Sequence, residues 1–430
     1  MTLSAPSQQA PQLQLSSATS RLRASPIREL FALLGRSDVI SLAGGFPPID
    51  ALDTAGLRDA ITRTARHALD ESLLYGATQG YAPLRALIAD RSRAQGAPLD
   101  ASDIQIVSGS QQGIELIART LVDAGDTVMV EAPTYLGALQ VFHAIGARIV
   151  TVPSGRDGID LEAFESKVRV QRPKLLYLVP SFANPTGGVM SLRERKQVLA
   201  IAARHGVAIV EDDPYGALYF YEPPPPSLLA LANEREREWV IHVSSLSKVL
   251  APGLRLGWLT APAALMQHLS LAKQIGDTHT SNLSQLTAHH YLSSGALEPA
   301  IERTRLFYRA QAQVMLRAIQ RELPAMVDTI EKPKGGMFMW ATLRGIDTAA
   351  MLPDAIRHGV AYVPGSAFFP DSSARDTVRL SFSTASAEQI QEGIRRLARC
   401  VESHWSRERD AATPEYPATA SVRERRVYQS

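Results

Sequence analysis

A lysine and an arginine stand seven residues apart, Lys248 and Arg255, in the stretch VSSLSKVLAPGLRLGW. Only apolar residues, Pro252 and Gly253 separate them. Two unpaired cations in a buried stretch would be costly, so the pattern calls for an anion between them or a less buried stretch. Other reactive side chains follow short apolar runs. After IQIV come Ser108-Gly109-Ser110-Gln111-Gln112, where a glycine turn opens a helix whose first N–H groups are free to hold an anion, best a phosphate. After LLYLVP come Ser181, Phe182, Ala183, Asn184 and Pro185. After VAIV come Glu211, Asp212, Asp213, Pro214 and Tyr215, and a carboxylate ending a buried run needs a cationic or N–H partner. Taken singly, each has an ordinary structural reading: a helix cap, a turn, a solvated loop acid, a surface lysine.

Taken together they meet the needs of one cofactor, pyridoxal 5′-phosphate. Its aldehyde needs a lysine amine for a Schiff base. Its pyridine nitrogen needs a carboxylate, so that the ring can act as an electron sink. Its ring 3′-oxygen needs hydrogen-bond donors. Its phosphate needs a helix start, hydroxyls and an arginine fork.

The elements that must position these groups follow from the hydropathy pattern. From Asp103 to Pro262, short apolar runs (DIQIVSG, DTVMVEAP, RIVTVPS, KLLYLVPS, VAIVEDD, VIHVSSLS and LGWLTAP) alternate with helical patterns such as QQGIELIARTLVDAG. This alternation predicts an α/β domain around a mainly parallel sheet covered on both faces, with ligands beyond the carboxyl ends of its strands. A long helical region follows, from Ala263 to Leu323. GGMFMWATL, AYVPGSAFF and DTVRLSFS then read as strands of a smaller α+β unit. The part before residue 100 reads as helix and loop.

The chain has 430 residues, is 45% hydrophobic and carries a net charge of +2. That is ample for a large core and gives no footprint for nucleic acid or a membrane surface. The one cysteine, Cys400, allows no intrachain disulfide, which fits a reducing, cytoplasmic setting. The polar N-terminus lacks the basic start and apolar block of a secretory signal. No run of about 18 apolar residues predicts a membrane span. The Pro/Ala/Ser-rich, charged C-terminus from Ser406 reads as a disordered tail.

SLAGGFP, YGATQGYAPLRALIADR, VSGSQQGIELIARTL, EAPTYLGAL, PSFANPTGG, VEDDPYG, SSLSKVLAPGLRLGW, PKGGMFMW, YVPGSAFF and VRLSFS occur in this order. With them the chain, from Arg21 to His404, resembles the fold type I pyridoxal-phosphate-dependent aminotransferases of class I/II, within the 2-aminoadipate/kynurenine/aromatic group. The resemblance implies a large domain with a mainly parallel seven-stranded sheet flanked by helices, over residues 71–300. It implies a smaller α+β domain from residues 301–405, joined by a segment from 21–70, with disordered tails at 1–20 and 406–430.

It also implies roles. Lys248 is the Schiff-base lysine and shuttles the substrate Cα proton. Asp212 meets the pyridine nitrogen, with Asp213 behind it. Tyr215 and Asn184 bond the ring 3′-oxygen, and Tyr135 stacks on the ring. Ser110, Gln111, Ser245 and Arg255 hold the phosphate, with Ser247 as a further candidate. Tyr75 reaches the phosphate from a second subunit, making the protein a homodimer with shared sites. Arg379 grips the substrate α-carboxylate, Gly45 packs near the substrate, and Arg28 stands where some relatives meet an acidic side chain. Phe46 and Ile49 suit the wall of a pocket for an uncharged side chain. No metal is implied. The family often has Gln before the Asn-Pro pair; Ala183 here would open space beside the cofactor.

The activity implied is transfer of an amino group from an aromatic, 2-aminoadipate-like or aliphatic L-amino acid to a 2-oxo acid. A β-lyase or decarboxylase on the same fold would share the ring-binding residues. A regulatory protein using this fold normally carries a DNA-binding domain, for which about 20 leading residues are too few.

Overall fold

The structure is a computed structural model that describes residues 13–22, 38–155, 158–324, 330 and 332–412, with side chains through 405. Arg28 lies outside the described residues. Its main sheet contains β2 (Gln105–Val107), β3 (Thr127–Ala132), β4 (Arg148–Gly155), β5 (Gly158–Ile159), β6 (Leu175–Leu178), β7 (Ala208–Asp213), β8 (Val240–Ser245) and β9 (Gly257–Thr260). Their order is β2-β9-β8-β7-β6-β3-β4-β5. The central pairs β8/β7, β7/β6, β6/β3 and β3/β4 are parallel. The sheet has eight strands rather than the expected seven, because β4 turns back on itself into the two-residue β5.

Period-two alternation decides which side chains face which helix layer. Val128, Val130, Leu175, Tyr177, Val210 and Ile241 join one core with Ile114 and Ile117 of the helix Ser110–Leu121. Met129, Leu176, Leu178, Ile209 and Val240 join the opposite core with Val198 and Leu199 of the helix Leu192–His205. Burial on both faces explains why these strands read as unbroken apolar runs. β9 is antiparallel to both neighbours, since the chain doubles straight back after the Lys248–Arg255 loop.

The smaller unit carries the antiparallel sheet β10 (Phe338–Thr342), β13 (Thr377–Ser381) and β12 (Val363–Pro364), in the order β10-β13-β12. Here β1 (Ile40–Ser41) corrects the helix-and-loop reading of the first hundred residues: it pairs in parallel with β11 (Val360–Ala361). Two residues are too short for a hydropathy pattern. The helix Thr54–His67, ahead of the expected boundary near residue 70, packs on the helix Asn282–Ser293. Two pieces of the expected tails are helical: Ser17–Ser20, capped by Ser16, and the last helix, which runs through Ser406 to Ala412. Among the described residues no helix is long and apolar enough to cross a membrane.

Candidate active site

The carboxyl ends of β7 and β8 open into a cavity of about 530 Å³. Of the site residues expected from sequence, Gly45, Ser110, Gln111, Tyr135, Asn184, Asp212, Tyr215, Ser245, Lys248, Arg255 and Arg379 line it, together with Ser247 and Phe46. Tyr75 does not: it is 90% exposed and stands edge-on to His279. Ile49 is exposed and also outside the cavity, which removes it from the wall expected of it. Ala183 is buried among core residues and does not reach the cavity, so the small side chain opens no space there.

Lys248 ends a short 3-10 turn that Ser245 caps directly after β8. Its Nζ donates to the Gly45 carbonyl at 2.8 Å. A Cβ on Gly45 would run into the Phe338 ring, so this close approach requires glycine. Burial, then the Arg379 and Arg255 cations, push the Lys248 amine down to about 8, while Asp212 pulls it upward. A lysine so placed can hold or release a proton near neutrality.

Asp212 is buried near the end of β7. Tyr177, on neighbouring β6, donates to its Oδ2 at 2.7 Å. Its Oδ1 is buried and has no hydrogen-bond partner among the described residues. Burial pushes this carboxyl up to about 7, against the Tyr177 hydrogen bond. A second buried acid, Glu131, accepts from the Val179 N–H at 2.8 Å and is pushed up to about 8, again mainly by burial.

Arg379 is buried on β13 and stacks 4.3 Å above the Phe338 ring. It donates to Asn184 Oδ1 at 2.8 Å and to the Ala43 carbonyl at 2.6 Å. Its Nε has no hydrogen-bond partner among the described residues. Asn184 also hydrogen-bonds the Tyr215 phenol, whose ionisation is pushed up by burial and then by Tyr135. Tyr135 donates to Gln111 Oε1 at 3.1 Å, and Gln111 donates to the Gly137 carbonyl at 3.0 Å. The Ser245 hydroxyl donates to Ser247 Oγ at 2.9 Å.

The helix Ser110–Leu121 starts on Gly109 at φ +86°, a left-handed conformation that favours glycine. Arg255 Nη2 donates to the carbonyl of Ser108 at 3.2 Å. A Cβ on Gly257 would come within 2.8 Å of the Ser110 amide nitrogen, so that start is packed against bare backbone.

This chemistry fits pyridoxal phosphate. The cavity lining brings together a helix start, two serines and a guanidinium for a phosphate, an amine for an aldehyde, and a buried carboxylate whose Oδ1 has no donor among the described residues, as the ring nitrogen needs. Sequence reasoning missed Tyr177, Gln140 and Phe338. Tyr177 left one signal, a phenol inside an otherwise wholly apolar strand, where a buried hydroxyl must find a partner.

Residues 37–397 match the family model for aminotransferase class I and II. The chain belongs to this family. The aminotransferase is 42% identical to a 2-aminoadipate transaminase of Thermus thermophilus, over 89% of this chain and 94% of that protein. It is 38% identical to aromatic-amino-acid aminotransferase 1 of Thermococcus litoralis, over 90% and 93%. Its fold superimposes with a TM-score of 0.85 on the α-aminoadipate aminotransferase of Thermus thermophilus, crystallised with N-(5′-phosphopyridoxyl)-L-leucine. That match covers 91% of this chain and 98% of the other at 40% identity. The protein is a pyridoxal-phosphate-dependent aminotransferase of fold type I, acting on amino and 2-oxo acids.

Proposed function

We propose that the donor is an L-amino acid with an aromatic, aliphatic or 2-aminoadipate-like side chain, and that the cavity residues divide the work as follows. Pyridoxal phosphate, when bound, supplies a ring that withdraws electrons from the substrate Cα. Lys248 would anchor it. Asp212 Oδ1 would hold a proton at the ring nitrogen, with Tyr177 orienting that carboxylate. Tyr215 and Asn184 would bond the ring oxygen, and Tyr135 would pack on the ring. Ser110, Gln111, Ser245 and Arg255 would hold the phosphate. Arg379, its planar fork already aligned by Asn184, takes the substrate α-carboxylate. Lys248 Nζ, as a free amine, would take the substrate Cα proton and hold it for return; an amine held near 8 is matched to that exchange.

The observation that carries this reading is the convergence of Lys248, the donorless oxygen of Asp212 and the buried Arg379 in one cavity. Phe46, Leu136 and Phe338 form apolar wall and Gln140 adds an amide, which suits a long side chain with either an apolar body or a polar tip. The names of the relatives point the same way. The test is a half-reaction screen following loss of the visible absorbance of the loaded enzyme with each L-amino acid. Aromatic, aliphatic and 2-aminoadipate donors are expected to discharge it and to yield 2-oxo acids. Carbon dioxide or β-elimination products in their place would overturn the reading. Conversion of acidic donors alone would favour a role for Arg28 at the side-chain carboxylate.

The working form is proposed to be a homodimer. Leu73, Leu74, Tyr75, Ile275 and Leu283 are all exposed. They lie close together, since Asn282 donates to the Leu74 carbonyl and Tyr75 meets His279. Apolar side chains gathered in this way mark an interaction surface. Its burial against a second copy would carry Tyr75 toward that copy's phosphate end. Tyr75→Ala is expected to weaken cofactor retention about tenfold, the worth of one hydrogen bond to a charged group. Mixed and reassociated with Lys248→Ala, it is expected to regain activity above the sum of both parents, because one site of the hybrid has both residues. A lack of any gain in a demonstrated hybrid would refute the shared site.

A further inference from the structure

The phosphate end of the cavity is braced from outside by charges that never enter it. Four hydrogen bonds converge on the Asp277 carboxylate. Lys273 Nζ donates to both oxygens, at 2.8 and 3.0 Å. Gln112 Nε2 donates at 2.7 Å and the Ser108 hydroxyl at 3.1 Å. Gln112 Oε1 in turn accepts from the Ser108 N–H at 2.7 Å and from Lys273 at 3.0 Å. Lys273 is wholly buried, so its charge depends on this acid and this amide. Asp277, Lys273, Gln112 and Ser108 all lie outside the cavity lining.

Ser108 is the residue they hold, by its N–H through Gln112 and by its hydroxyl through Asp277. Its carbonyl meanwhile takes the Arg255 guanidinium. The next residues are Gly109, at φ +86°, and Ser110, the start of the helix. We infer that Asp277 is a positioning residue for the phosphate cradle, with Lys273 as its buried counter-charge. By fixing Ser108, the pair fixes both the helix-start amides and the outermost arginine at one spacing. Arg255 is exposed and itself adopts a left-handed backbone at φ +53°. With Ser108 free to move, both sides of the cradle would shift together. The inference rests on the proposed assignment of Ser110 and Arg255 to the phosphate.

The experiment compares pyridoxal 5′-phosphate with pyridoxal, which lacks the phosphate. Cofactor is removed from the intact enzyme, and each aldehyde is titrated back by absorbance into wild type, Asp277→Asn, the charge-free pair Lys273→Met/Asp277→Asn, and Arg255→Ala. Asp277→Asn is expected to bind pyridoxal phosphate about tenfold or more weakly, as loss of a charged hydrogen-bond acceptor implies. Pyridoxal affinity is expected to stay within about twofold, because only the cradle is disturbed. The paired variant removes the uncompensated lysine and serves if the single variant folds poorly. A preference for the phosphorylated form that is unchanged in the variants overturns the inference, even if both affinities fall together. If Arg255→Ala also keeps the full preference, the phosphate assignment itself fails. If Arg255→Ala loses it and the Asp277 variants keep it, only the role of Asp277 fails.

Discussion

Lys248→Ala is expected to abolish turnover, with kcat reduced by more than about 10⁴-fold, because one side chain is proposed to serve both as covalent anchor and as base. A positioned base alone is worth about 10²–10⁴-fold, and the anchor adds to it. The loaded variant is also expected to lack the visible absorbance of the lysine-bound cofactor while still taking up cofactor through Ser110, Ser245 and Arg255. The environment that makes the lysine useful is visible in its neighbours. Burial and the guanidiniums of Arg379 and Arg255 hold its amine down near 8, whereas an ordinary lysine sits above 10. Lys248→Arg is therefore no rescue, since arginine stays charged. An alanine variant with intact absorbance and turnover would remove Lys248 from both roles.

How much of this was legible in the sequence depended on the kind of information involved. The strand ends were readable, because a run buried on both faces is unbrokenly apolar and the first polar residue after it stands at the sheet's rim. Asp212, Asn184, Ser245 and Lys248 were found in that way. The motif order then assigned Arg379, which sits on a different sheet some 130 residues further along. Contacts that cross elements left weaker traces. Tyr177 stands inside an apolar run, and its partner lies on the adjacent strand. Asp277 and Lys273 stand at the i,i+4 spacing of one helix, and only the fold brings Ser108 and Gln112 to them. Tyr75 remains outside the cavity of the single chain. The cross-subunit role proposed for it would leave it exposed in the single chain, as it is.

Asp212→Asn is expected to lower kcat/KM by about 10²–10³-fold, the typical worth of one preorganised electrostatic contact to a charge that develops in the reaction. Asparagine keeps the shape, and its carbonyl oxygen can still accept from Tyr177, so cofactor uptake and the Lys248-dependent absorbance should survive. What it removes is the negative charge proposed to keep a proton on the ring nitrogen. The cofactor-free protein offers a second, independent reading of the same carboxylate. Burial raises its pKa from the ordinary carboxyl range to about 7. The folded state therefore holds this proton more tightly than the unfolded chain does. The resulting stability is present at low pH and is lost as pH rises through about 7. Lys248 acts oppositely: its lowered pKa costs stability at low pH, a cost relieved as pH rises through 8 and above. Both proteins retain Lys248, and loss of the Asp212 charge lowers the Lys248 amine further, which favours the variant as pH rises and so acts in the same direction. Between pH 5 and pH 8 the melting temperature of the cofactor-free wild type is expected to fall relative to that of Asp212→Asn. Full activity in the variant would mean that the ring nitrogen finds its charge elsewhere. Parallel melting profiles would mean that Asp212 is not the buried, donorless acid on which the proposed electron sink depends.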